Sequence, residues 1–119
     1  LTILCNENVH IKFINDIFLQ AMVVVYNEFV SNGKIPVISS AADGDHSKDS
    51  YHKYGFAWDI LADYPDDYET IYLPIRQKLK AIDKYYDLVF GTDDHKHHIH
   101  IEYDYRRYMR DKYKLNYIK

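Results

Sequence analysis

A chain of 119 residues, 47% hydrophobic and 28% charged, has room for one domain around one core, which excludes a disordered chain and an appended binding module. Its net charge of −3 hides an asymmetry: residues 104–119 hold six Lys or Arg against two Asp, leaving the rest of the chain at −7. An acidic body excludes nucleic acid as the main ligand, and the basic end reads as a solvated helix face before it reads as a contact for an anionic polymer.

In chain order, Leu1-Thr2-Ile3-Leu4-Cys5 is too short, and lacks the basic start, for a signal peptide; a chain beginning at Leu1 without Met gives that reading little weight. Cys5 is the single cysteine, so no internal disulfide forms. Ile11, Ile14, Phe18, Met22, Val25 and Phe29 recur at helical spacing and predict a helix over 10–31, stopped by Asn32 and Gly33. Its Val23-Val24-Val25 run is β-prone, but periodicity over five turns outweighs it. The longest apolar run, Ala21 to Tyr26, falls far short of the roughly 20 residues that span a bilayer, so no membrane partner is expected. The protein reads as a soluble monomer whose localisation the sequence leaves unassigned.

Lys34 to Ser40 predicts a short strand with Pro36 at its start or at a sheet edge, and Ala41 to Ser50 a polar loop turning at Asp43-Gly44. Gly55 to Leu61 predicts a second strand. Asp63-Tyr64-Pro65 opens a helix whose stripe is Ile71, Ile75, Leu79 and Ile82, with Pro74 imposing a kink or two abutting helices. Asp87 to Phe90 and His98 to Tyr103 predict two more strands, joined through Gly91-Thr92-Asp93-Asp94. The order α-β-β-α-β-β describes one α+β domain over residues 1–119 with a mainly antiparallel sheet. The 13 tyrosines fit core rims and strand faces, and Trp58 the core.

The chemistry concentrates in two places. Four of seven histidines fall within His95-Lys96-His97-His98-Ile99-His100. In a strand, His98 and His100 share one face, about 6.5–7 Å apart, with Glu102 following and Ile99 and Ile101 turned to the core. Upstream, Asp59 stands in the apolar run Phe56 to Leu61, where a buried carboxylate needs donors or a cation. Imidazoles with a carboxylate are the ligand set zinc prefers, although cobalt or nickel also accept it.

These residues carry a resemblance. Ser50, His52, Gly55, Ala57 and Asp59 follow the pattern S-x-H-x-x-G-x-A-x-D, and His98-Ile99-His100 supplies the H-x-H that comes after it. The segment from about 35 to 103 resembles the zinc D-Ala-D-Ala carboxypeptidase/L-Ala-D-Glu endopeptidase family, which shares its fold with the Hedgehog signalling domain and includes many bacteriophage lysins. The resemblance implies one zinc ion held by His52, Asp59 and His100, and a catalytic role for His98 beside the tetrahedral intermediate. It places His46 and Ser50 on the substrate side of the cleft. The implied activity is zinc-dependent hydrolysis of peptide stems of bacterial peptidoglycan, at the cell wall, in the manner of a small endolysin.

The chain departs from the family at the general base. Many of the peptidases carry Glu or Asp three residues before the last ligand, where this chain has His97; Hedgehog-type domains carry Glu six before it, where this chain has Asp94. Asp94, His97 and Glu102 are thus the candidate bases, with Asp94 favoured. No Arg precedes Arg76, which favours an endopeptidase over a carboxypeptidase gripping a terminal carboxylate. The alternatives are a zinc-containing binding or signalling module without turnover, and a structural metal domain unrelated to peptidases.

Overall fold

A computed structural model of the protein describes residues 2–9, 15–41, 56–92 and 94–114. They form β1 (Leu4–Cys5), α1 (Asp16–Ser31), β2 (Val37–Ser40) and β3 (Ala57–Leu61). A π-helical segment (Tyr68–Tyr72) then runs into α2 (Leu73–Ile82), followed by β4 (Tyr86–Val89), β5 (His98–Tyr103) and α3 (Tyr105–Tyr113). Among the described residues the architecture is α+β: a mixed five-stranded sheet of order β1-β2-β3-β5-β4 with three α-helices. β1 runs parallel to β2, and the other three ladders are antiparallel.

α1 starts at Asp16 rather than at residue 10, because Asn15 adopts an extended backbone and accepts the Phe18 N–H at 2.9 Å, an N-cap. The expected turns before it fall on residues 10–14, outside the described ones. The valine run is helical, since Met22 and Val25 lie fully in the core and packing overrides local propensity. Gly33, at φ +72°, ends the helix as expected.

Pro65 does not open the next helix. It sits in a turn closed by the Asp67 N–H on the Asp63 carbonyl, and helical backbone begins at Tyr68. Pro74 falls in the first turn of α2, directly after the π-helical segment, so the two abutting segments appear as expected.

One face of the sheet carries the core. Phe18, Met22, Val25 and Phe29 from α1 and Ile75 and Leu79 from α2 pack on Ile38, Trp58, Ile60, Ile99 and Ile101. Lys78 and Glu28 pair across the two helices. Tyrosines fill the margins: Tyr72, Tyr86 and Tyr103 are buried, and Tyr86 donates its hydroxyl to the Ile17 carbonyl at 2.9 Å.

At the end of β4, Gly91 takes φ +92° and donates its N–H to the His95 carbonyl at 2.7 Å. A Cβ there would stand 2.5 Å from the Tyr64 ring, so only glycine fits. No helix among the described residues is long and apolar enough to cross a membrane.

Candidate metal centre

The sheet face opposite the core carries the polar cluster. Strand alternation buries Ile99, Ile101 and Tyr103 of β5 and leaves His98, His100 and Glu102 half-buried on the other side. The β3–β5 register sets Asp59 directly across from His100, Leu61 across from His98 and Ala57 across from Glu102. On β2, an irregularity between Ile38 and Ser40 brings Ser40 level with Asp59.

His100 is held at both ring nitrogens. Its Nδ1 lies 2.9 Å from Asp59 Oδ1, and its Nε2 lies 2.7 Å from Glu102 Oε1. His98 Nε2 approaches the same Asp59 oxygen at 3.9 Å. Burial works against a charged His100 ring, but hydrogen bonds and charge from Asp59 and Glu102 outweigh it and raise the pKa to about 9. The pocket therefore demands a positive charge, and without a metal the imidazolium supplies it.

This sets a pH dependence for the metal-free protein. A histidine whose folded pKa lies above its unfolded value stabilises the fold fully below about 6.5, and the contribution is lost as pH rises through about 9. With a chelator present, stability should fall across that window by on the order of 2–3 kcal/mol at most. Urea unfolding at pH 6.5 and 9 measures it, and Glu102→Gln should flatten the difference.

Two of the three expected ligands are thus adjacent, and their chemistry fits zinc. Donors at about 2.0–2.1 Å from a tetrahedral ion stand roughly 3.3 Å apart. The 2.9 Å between Asp59 and His100 needs an opening of only a few tenths of an ångström. Among the described residues no group of three or more His, Cys, Asp or Glu side chains is spaced to hold an ion by itself. The third expected ligand, His52, lies outside the described residues, as do His46 and Ser50.

The candidate bases separate. His97 turns its ring to Asp63, Nδ1 to Oδ1 at 3.3 Å, and both side chains are largely exposed. Asp94 is exposed on the turn before β5. Glu102 is engaged by His100. His95 precedes the strand, and its ring stands edge-on to those of His98 and His100, with centroids 5.1 and 5.6 Å away. No periodicity marks it, because the turn is folded back by the Gly91–His95 bond and not by strand alternation. Set beside known proteins, the chain matches no family model, no curated protein and no solved structure, so the functional reading rests on the chemistry of the site.

Proposed function

We propose that the protein is a zinc metallopeptidase that cleaves peptide stems of bacterial peptidoglycan, on a fold of the Hedgehog/DD-peptidase type, as an endopeptidase. The observation that carries the reading is His100 clamped between Asp59 and Glu102. A carboxylate accepting the Nε2–H of a histidine fixes its tautomer and leaves the Nδ1 lone pair facing the other side. Here that side is Asp59, the arrangement a metal-binding histidine requires. Glu102 is then a positioning residue and not the base.

A zinc ion bound by His52, Asp59 and His100 would polarise the substrate carbonyl and lower the pKa of water. The rest of the work belongs to side chains. His98, whose Nε2 stands 3.9 Å from Asp59 Oδ1, would donate a hydrogen bond to the oxygen that gains charge in the transition state. His95 packs against both histidine rings and limits their rotation. Asp94 is proposed as the proton acceptor, with His46 and Ser50 on the substrate. A zinc-containing module without turnover is the second reading, favoured by His97: it stands where many of the peptidases keep a carboxylate, and it pairs with Asp63.

Digestion of purified peptidoglycan, with fragments read by mass spectrometry, tests the proposal. Zinc-loaded protein should release stem fragments, and a chelator should reduce release to background, with added zinc restoring it. Stoichiometric zinc with no released fragment from any stem would overturn the peptidase in favour of the module.

A further inference from the structure

An open groove of about 460 Å³ begins one residue pair beyond the site. Leu61, on the same face as Asp59 and across from His98, lines it, and so does His97. Backbone pairing continues past β3 here, with the Ala62 N–H donating to the His97 carbonyl at 3.2 Å and the Tyr64 N–H to the Lys96 carbonyl at 2.9 Å. Groove and centre thus share one rigid pair of strands. Two residues of strand cover about 6.5–7 Å, so a peptide reacting at Asp59 and His100 reaches the groove with a side chain one or two positions away.

The lining combines apolar side chains with the charged Lys34, Asp63 and Asp67. Ile35 and Leu61 supply aliphatic surface. Of the charges, Lys34 Nζ sits 2.7 Å from Asp67 Oδ1, and the other Asp67 oxygen accepts the Asp63 N–H at 2.8 Å, so this pair is satisfied within the fold. Asp63 remains, with its side chain 74% exposed and a weak partner in the His97 ring. An aliphatic stem ending in a cation matches such a surface, the stem against the apolar side chains and the charge at the Asp63 carboxylate.

Resting on the peptidase reading, we infer that this groove is a substrate subsite for an ammonium-bearing side chain of a diamino acid, with Asp63 as the residue that selects it. The experiment uses synthetic stem tetrapeptides alike except at the third position, which carries lysine, Nε-acetyl-lysine or alanine. Binding to the zinc-loaded protein is followed by amide shifts of Leu61, Asp63 and His97, and cleavage is followed separately. The lysine peptide should shift those amides and bind about three- to fivefold tighter than the acetylated one. It should bind at least about tenfold tighter than the alanine peptide. Asp63→Asn should bring the lysine-to-acetyl-lysine ratio close to one. Equal affinities for lysine and acetyl-lysine, or an unchanged ratio in Asp63→Asn, would overturn the subsite whether or not the peptides are cut. Selective binding without cleavage of any stem leaves the subsite standing and counts against the peptidase.

Discussion

Asp59→Ala is expected to abolish zinc retention and to reduce fragment release by more than about 100-fold. Loss of a group that only orients a metal ligand already lowers affinity or activity about 10–100-fold, and removal of a ligand should exceed that. Asp59 meets its neighbours through both side chain and backbone. It faces His100 Nδ1 at 2.9 Å, it approaches His98 Nε2 at 3.9 Å, and its backbone carbonyl accepts the Ser39 hydroxyl at 3.3 Å. The last contact survives substitution, so the strand pairing should persist and circular dichroism should show a folded protein. Glu102→Gln provides the graded comparison: an amide still accepts from Nε2 but no longer holds the charge, and zinc affinity should drop within the 10–100-fold range. Metal content after dialysis, read together with peptidoglycan digestion, measures both. Full zinc occupancy in Asp59→Ala would move the metal elsewhere and end the assignment.

Trp58→Ala should destabilise the protein by about 3–5 kcal/mol, the cost of emptying a buried aromatic site. Trp58 is 1% exposed and meets the Phe18 ring edge-on at 5.3 Å, so it joins β3 to α1 across the core. Domains of this size are stable by only about 5–15 kcal/mol, which makes the loss a large share of the total. Urea unfolding followed by far-ultraviolet circular dichroism measures it, since the only tryptophan is gone. The substitution adjoins Asp59 in sequence, so a parallel fall in zinc affinity is expected. A loss below about 1 kcal/mol would mean that the indole does not support this core.

The parts of the fold that show in the sequence are those that repeat. β5 appears at its predicted bounds because Ile99 and Ile101 alternate with His98 and His100, and a period of two is visible locally. α1 declares itself by the helical spacing of Phe18, Met22, Val25 and Phe29, and Pro74 marks a real break. What stays hidden depends on distant partners. β1 is two exposed residues whose strand character comes from pairing with Val37 and Ile38. α3 buries none of its residues fully, so it has no stripe to read. It is set instead by Asp104, which accepts the Arg107 N–H at 3.1 Å, and by stacking of Tyr105 on Phe56 at 5.0 Å. Residues 104–119 read as a basic helix face, and Tyr105–Tyr113 of that segment are helical.

The site follows the same division. Asp59, His98 and His100 stand out because a carboxylate in an apolar run and an H-x-H on a strand both break the expected pattern. The pairing of Glu102 with His100, and not with solvent, is a matter of rotamer that no spacing encodes. His95 reaches the cluster only because the chain folds back at Gly91.

The alternation along β5 ties chemistry to architecture in one further way. Histidine and isoleucine take turns, so inserting a single residue between 98 and 102 would send imidazoles into the hydrocarbon interior and isoleucines out to water. Length changes in this strand can therefore arise only in steps of two, whereas the turn before it is free of that arithmetic. Descendants of this chain should vary there, and keep the strand's count.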